Sequence, residues 1–347
     1  MTNPQVPGHS DQPLMAAYDT ALLDLDGVVY AGPAAIEHAV DSLDAARAAG
    51  MRLAYVTNNA SRPPRVVAEH LTELGVPADA GDVINSAQAA ARLVAEKVPA
   101  GSKVLVIGGP GLVEALAERG LVAVESLADG PAAVVQGFDP SVGWEQLAEA
   151  AYAVAAGLPW VASNTDMSIP TARGVAPGNG TLVAAVRAAT GAEPEVAGKP
   201  LPPMHRETVL RTGAKRPLVV GDRLDTDIEG AYNGGVDSLL VFTGVGTPAQ
   251  LIAAPPQHRP TYLAADLRGL LEPHPAVTAT ADGGFECRGR SARVVDGELR
   301  LGGAGAGQGD QADRYDGLRA LCAAAWAELD RGGEPLDGRK ALAELGF

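Results

Sequence analysis

Short apolar runs alternate with stretches whose apolar positions recur at helical spacing through residues 15–270, the mark of βαβ units on a parallel sheet. Runs at 21–24, 53–57, 218–221 and 238–242 predict buried strands. Amphipathic stretches at 34–49, 65–74 and 226–232 predict helices that close on Gly50, Gly75 and the pair Gly234-Gly235, where a helix end needs left-handed backbone. The middle of the chain has its own alternation, with strands predicted at 103–107, 132–136 and 160–163 and helices at 111–119, 144–156 and 181–189. Beyond Pro275 the pattern changes to strands at 284–288, 292–295 and 298–301, joined by turn residues such as Asp296-Gly297. A glycine-rich linker at 302–309 and an amphipathic helix at 312–329 follow.

These elements predict an α/β chain. A Rossmann-like, doubly wound parallel sheet is assembled from 15–82 and 195–275, an α/β insert occupies 83–194, a small α+β appendage occupies 276–347, and 1–14 is a disordered tail. The length of 347 residues exceeds what one compact core usually supports, which agrees with division into domains. The insert splits the first sheet into two stretches of chain and is expected over one edge of it.

Composition narrows the functional classes. Aromatics make up 4% of the chain, so alanine and glycine carry much of the packing, and a flat ring in a ligand would find little to stack on. The net charge of -15, with no Lys/Arg cluster against it, argues against nucleic acid and anionic membrane as partners. The longest apolar stretch, 150–162, is broken by Gly157 and Pro159 and falls short of the roughly 20 residues of a membrane span, so no membrane insertion is expected. Cys287 and Cys322 stand in no metal-ligand or redox spacing, and residues 1–13 lack the features of a signal peptide; a reducing cytoplasm is the expected location.

The candidate chemistry lies where strands end. Asp24 and Asp26 close the run Leu22-Leu23-Asp24-Leu25-Asp26-Gly27, and spacing of two turns both carboxylates to one side, where they need a cation. Thr57-Asn58-Asn59 closes the second strand and offers a hydroxyl and amide dipoles, although helix capping would use the same residues. Gly198-Lys199-Pro200 places one cation in a loop; with six residues between Gly191 and Gly198 and a proline after the lysine, it is not a nucleotide-binding P-loop. Gly221-Asp222 ends a third strand and leads through Asp225 to Asp227 in the first turn of a helix, where the helix dipole alone would favour acids. Each signal is weak by itself; four at strand carboxyl ends, where α/β sheets form their ligand crevice, point to one site. Oxygen ligands without a sulfur or histidine cluster suit Mg2+ rather than zinc.

In this order the four segments resemble the motifs of the haloacid dehalogenase superfamily, over roughly residues 15–270. The insert falls where that family carries its large type 2 cap. Ser163-Asn164-Thr165-Asp166 with Pro170, Gly174 and Pro177-Gly178-Asn179-Gly180 is similar to the cap signature of its p-nitrophenyl phosphatase, phosphoglycolate phosphatase and glycerol phosphate phosphatase branch. The resemblance implies a Mg2+-dependent phosphatase acting on small phosphorylated metabolites through an aspartyl phosphate. Asp24 would be the nucleophile and Asp26 the general acid and base. Asp24, the Asp26 backbone carbonyl, Asp222 and Asp227 would hold the metal, while Thr57, Asn58, Asn59 and Lys199 would bind the phosphoryl oxygens. It also implies a cap that selects the leaving group, with Arg62, Asn164, Asp166 and Arg173 as candidates, and a homodimer formed through the cap.

An alanine- and glycine-rich chain with a C-terminal extension resembles the actinobacterial glycerol 3-phosphate phosphatases of this branch, which makes glycerol 3-phosphate the expected substrate. Phosphoglycolate, pyridoxal phosphate and nucleoside monophosphates are the alternatives. Arg300-Leu301-Gly302-Gly303-Ala304-Gly305 is similar to the pyrophosphate loop of acetyl-CoA-dependent acetyltransferases, but some 70 residues are too few for that whole fold, so the segment reads as a flexible linker. Two non-enzymatic readings compete: a phosphoacceptor receiver module and a silent ligand-binding relative. The order of the segments disagrees with the first, and retention of Asp26 with the other catalytic groups disagrees with the second.

Overall fold

The computed structural model describes residues 6–171, 173–303 and 311–347. The chain divides into two compact units, Met1–Leu53 with Ala214–Phe347, and Ala54–Gly213.

In the first unit Thr20–Leu23, Pro217–Gly221, Asp237–Val241 and Tyr262–Ala264 lie side by side in that order, all parallel. Thr20–Leu23 is buried along its whole length, as a strand covered on both faces must be, and this is why Ala21-Leu22-Leu23 appears in the sequence as an unbroken apolar run. The register sets Leu23 opposite Val220 and Gly221 opposite Leu240, so the carboxyl ends of neighbouring strands finish at one level. Strands expected at 21–24, 218–221 and 238–242 each begin one residue earlier. The helix expected at 34–49 is shorter: a small hairpin of Tyr30–Ala31 with Ala34–Ala35 takes its start, turning through Gly32 and Pro33, and the helix itself is Ala39–Ala48. The helix expected at 226–232 starts as a wide π-type turn, Leu224–Ile228, and continues as Glu229–Gly234.

Residues 6–13, read from the sequence as part of a disordered tail, are tied down. Gly8 N–H donates to Thr261 O at 2.7 Å, and Ser10 exchanges two backbone hydrogen bonds of 2.9 Å with His274. Toward the other end, Thr278–Ala279, Phe285–Cys287, Arg290–Val295 and Glu298–Gly302 form an antiparallel sheet. The helix Gln311–Asp330 packs on its middle strands. Asp296 and Gly297, with φ of 52° and 76°, make the tight turn that their pairing in the sequence predicts. The helix residues Leu318, Leu321 and Trp326 share one hydrophobic cluster with Leu240 and Leu263 of the parallel strands, and the Trp326 indole donates to Leu251 O at 3.0 Å. Of the linker expected at 302–309, positions 304–309 lie outside the described residues.

In the second unit the end of Arg52–Thr57 pairs in parallel with Val83–Asn85. A five-stranded parallel sheet runs Glu195–Val196, Trp160–Ala162, Ala133–Gln136, Lys103–Ile107, Val122–Val124. Its three central strands match the expected runs, whereas the two short edge strands do not stand out in the sequence. Helices Trp144–Ala155 and Asn179–Thr190 bury Val154, Val183 and Val186 against Leu105 and Val134. Two helices that the pattern does not announce, Ser86–Ala95 and Pro202–Thr212, meet around a charge. Glu207 on the second has no exposed surface and accepts from Arg92, Arg119 and Arg211. Burial pushes its carboxyl up, but the bonds from Arg92 and Arg211 outweigh that and hold it below the usual range. Among the described residues no helix is long and apolar enough to cross a membrane.

Candidate active site

In the first unit the strand ends gather acids. Pairing of Thr20–Leu23 runs on one residue, through the Asp24 N–H to Val220 O at 2.8 Å, and leaves the Asp24 side chain at the tip, half-buried. Asp222 directly follows Pro217–Gly221, and Asp227 sits in the π-type turn; both are buried. One carboxylate oxygen from each of Asp24, Asp222 and Asp227 can be chosen so that all lie within 4.8 Å of one another. At that separation two carboxylates repel by on the order of 3 kcal/mol for an effective dielectric near 20, and two of the three, Asp222 and Asp227, have almost no surface from which water could screen them. A donor set made only of hard oxygens, with three negative charges converging, fits a small divalent cation such as Mg2+.

The surrounding backbone fixes these carboxylates. Val245 N–H donates to Asp222 Oδ2 at 2.6 Å, Gly246 N–H to Asp222 O at 2.8 Å, and Arg223 N–H to Asp227 Oδ2 at 3.2 Å. Asp222 is walled by two glycines: a Cβ added at Gly244 would fall 2.0 Å from its Oδ2, and one at Gly27 would fall 2.6 Å from the same atom. Gly27 also needs its glycine for backbone reasons, with φ of 88°. The Thr243 hydroxyl donates to Gly27 O at 2.5 Å and ties the loop after Asp237–Val241 to the loop after Thr20–Leu23. Asp26 is exposed in that latter loop, where it bridges to Tyr30 and stands outside the three-carboxylate cluster.

The second unit assembles the polar and cationic candidates. Thr57 is buried, and its Oγ1 accepts from Asn59 N–H at 3.1 Å; Asn59 Oδ1 in turn accepts from the Ser61 backbone and hydroxyl, both at 2.9 Å, in an Asx turn. Asn58 reads the backbone of Lys199 from both sides: Lys199 N–H donates to Asn58 Oδ1 at 2.8 Å, and Asn58 Nδ2 donates to Lys199 O at 3.1 Å. The same Nδ2 reaches Asp166 Oδ2 at 3.2 Å. Asn164, buried, donates through Nδ2 to Asn58 O at 2.7 Å and accepts from Asp166 N–H at 3.1 Å. Lys199 Nζ donates to Val56 O at 3.1 Å. Thus Asn58, Asn164, Asp166 and Lys199 come together.

Arg62 and Arg173 do not join them. Arg62 is exposed, its carbonyl accepting from Asn85 Nδ2 at 3.0 Å, and Arg173 is exposed in the turn of the hairpin Ser168–Thr171 with Gly174–Pro177. Among the described residues neither guanidinium makes a hydrogen bond or an ion pair. Sequence reasoning missed Gly244, Val245 and Gly246, whose only signal is the glycine alternation in Thr243-Gly244-Val245-Gly246 after a strand. Asn179, which the sequence marks only as part of the cap signature, is buried, and its Nδ2 donates to Asn164 O at 2.7 Å.

Comparison with known proteins identifies the family. A model of haloacid dehalogenase-like hydrolases matches residues 21–122, a second HAD-like hydrolase model matches 196–270, and a GCN5-related N-acetyltransferase-like domain model matches 287–347. The likeness noted at Arg300 to Gly305 therefore extends over the strands Arg290–Val295 and Glu298–Gly302 and the helix Gln311–Asp330. The chain is 49% identical over 253 residues to a D-glycerol 3-phosphate phosphatase of Mycobacterium tuberculosis, covering 73% of this chain and 71% of that one. It is 38% identical over 235 residues to an acid sugar phosphatase of Staphylococcus aureus, covering 67% and 90%. A crystal structure of glycerol phosphate phosphatase from M. tuberculosis with magnesium superposes with a TM-score of 0.83 at 43% identity, over 91% of this chain and 92% of that one. The chain belongs to the haloacid dehalogenase-like hydrolase family.

Proposed function

We propose that the chain is a Mg2+-dependent phosphatase that hydrolyses glycerol 3-phosphate to glycerol and phosphate. The observation that carries the metal-dependent chemistry is the convergence of Asp24, Asp222 and Asp227 within 4.8 Å. The choice of substrate rests on the 49% identity to an enzyme of that name, while phosphoglycolate, pyridoxal phosphate and nucleoside monophosphates are its competitors.

In this reading Asp24 attacks phosphorus and takes the phosphoryl group as the alkoxide leaves, which splits one hard displacement into two easier ones. Asp26, exposed and outside the carboxylate cluster, gives its proton to the departing oxygen and later takes one from the water that cleaves the aspartyl phosphate. Asp24, the Asp26 backbone carbonyl, Asp222 and Asp227 hold Mg2+, which when bound supplies positive charge for the phosphoryl oxygens. Thr57, Asn58, Asn59 and Lys199 bind those oxygens; the Asn58 side chain is engaged with Lys199 and Asp166, so its part falls to its backbone N–H. The exposed guanidinium groups of Arg62 and Arg173 are the candidates for recognising the leaving group. The reading also puts the protein in a reducing cytoplasm, which suits its two buried free thiols, Cys287 and Cys322, and makes it a homodimer through the insert.

Phosphate release across a panel of these esters, with Mg2+ and with a chelator, tests the proposal. We expect the highest kcat/KM for glycerol 3-phosphate and no release in chelator. A higher value for another ester sinks the substrate, and full release in chelator sinks the metal.

A further inference from the structure

Three buried or half-buried amides stand in series in the second unit. Asn179 Nδ2 donates to Asn164 O at 2.7 Å, Asn164 Nδ2 to Asn58 O at 2.7 Å, and the Asn58 side chain closes two bonds on the Lys199 backbone, at 2.8 and 3.1 Å. Asn179 has 1% of its surface exposed and Asn164 has 5%. A buried amide is costly unless bonded, so such a chain holds one arrangement and penalises others. The far end is anchored as firmly. Asn179 begins the helix Asn179–Thr190, and its two neighbours let that helix start press on the 164–167 loop. Gly178 N–H donates to Met167 O at 3.0 Å and Gly180 N–H to Asp166 O at 2.9 Å. A Cβ at Gly178 or Gly180 would fall 2.2 Å from a carbonyl oxygen of that loop, at Asp166 and Thr165 respectively.

From this we infer that Asn179 is a positioning residue for Lys199, acting through Asn164 and Asn58, and that Asn164 and Asp166 serve the phosphate-binding loop rather than the leaving group. The polar atoms of Asn164 are spent on this work: Nδ2 on Asn58, Oδ1 on the Asp166 N–H. The Asp166 carboxylate accepts from the Asn58 amide that also grips Lys199. A group that sets where Lys199 lies affects what all phosphate esters share, the phosphoryl oxygens, and leaves the discrimination among alcohols untouched. The inference rests on the phosphatase reading, in which Lys199 binds those oxygens.

The test uses the isosteric variants Asn179→Asp and Asn164→Asp, each of which replaces a donating NH2 by an oxygen facing a carbonyl. Inorganic phosphate binding is measured by calorimetry, and kcat and KM are measured on a panel of esters that includes p-nitrophenyl phosphate. We expect phosphate to bind about tenfold more weakly, the weight of one buried hydrogen bond, with KM rising by a common factor for every ester and kcat little changed. A fall in kcat with KM and phosphate affinity unchanged would mean only a smaller folded fraction and would overturn the inference. KM changes that differ among esters would overturn it too, by making these residues leaving-group contacts. Asn179→Ala cuts the same bond with a strong helix former and serves if the isosteric variant does not fold; it must show the same split. Wild-type protein that binds no phosphate would refute the phosphatase reading itself, a result distinct from variants that match a phosphate-binding wild type.

Discussion

Replacing Gly244 by alanine probes the metal site through a single contact. The added Cβ would lie 2.0 Å from Asp222 Oδ2 and 2.9 Å from Gly27 Cα, whereas ordinary contact begins at 3.4 Å, so the carboxylate must retreat by about an ångström or more. It has little room to do so: Asp222 has no exposed surface, its Oδ2 already accepts from Val245 N–H at 2.6 Å, and Gly27 closes another side. The Gly244 backbone is not in the left-handed region, so the substitution acts through the clash and not through φ. Mg2+ demands near-ideal octahedral geometry, and a misplacement of 1 Å can cost about a hundredfold in rate. We therefore expect kcat/KM to fall at least about a hundredfold, or roughly 2.7 kcal/mol of transition-state stabilisation, and the Mg2+ concentration for half-maximal activity to rise. Overpacking of this kind costs stability by about 1–3 kcal/mol, less than the roughly 5–15 kcal/mol of an ordinary domain. Turnover of p-nitrophenyl phosphate over a Mg2+ titration, beside a thermal melt, separates the two effects. Gly81→Ala is the control, because a Cβ there meets nothing within 4 Å. Gly244→Ala protein that works within threefold of wild type at every Mg2+ concentration would refute the argument that Asp222 must stand where it does.

Two other expectations follow from charges. Asp24→Asn should lose turnover to below about a thousandth of wild type, since an amide does not attack phosphorus. With one of three converging negative charges gone, it should also melt no lower than wild type in chelator and gain less from added Mg2+; a lower melting temperature in chelator would contradict the repulsion argued for the cluster. Glu207→Gln should cost about 3 kcal/mol at neutral pH by leaving three arginines without their shared anion, the lower end of the range for a broken buried pair because those arginines reach water. The Glu207 carboxyl is held below its ordinary value, so its contribution is full above about pH 4.3 and is lost as pH falls through the lower, folded value. Calorimetric melts of the two proteins should thus differ at pH 7.5 and converge in acid, and equal melting temperatures at pH 7.5 would count against the network.

What the sequence makes legible here follows from how far apart the cooperating atoms lie along the chain and whether they belong to side chains. Thr20–Leu23 declares itself because a strand covered on both faces is built almost wholly of apolar residues, and Lys103–Ile107 does so through the apolar run of four that follows its exposed Lys103. Val83–Asn85, Val122–Val124 and Glu195–Val196 are too short to carry a period, and Asn85 is also the cap of the next helix, its side chain accepting from Gln88 N–H at 3.0 Å. The helix expected from residue 34 gives way to a hairpin because Gly32 and Pro33 turn the chain first, with φ of 59° at Gly32. Asp24, Asp222 and Asp227 can be picked out as acids at strand and helix ends, since a carboxylate is visible in the sequence wherever it stands. The donors that aim them are not: the amides of Val245 and Arg223 are backbone groups that any residue would supply, and only the fold brings position 245 to position 222. Asn164 shows the opposite limit. Its residue type marks it as polar and its loop as important, but whether a buried amide faces a ligand or a neighbouring carbonyl is decided by the partner's position. Here Asn58 O lies at 2.7 Å, and the side chain that sequence reading would aim at the substrate is aimed at Asn58, whose own side chain grips the Lys199 backbone.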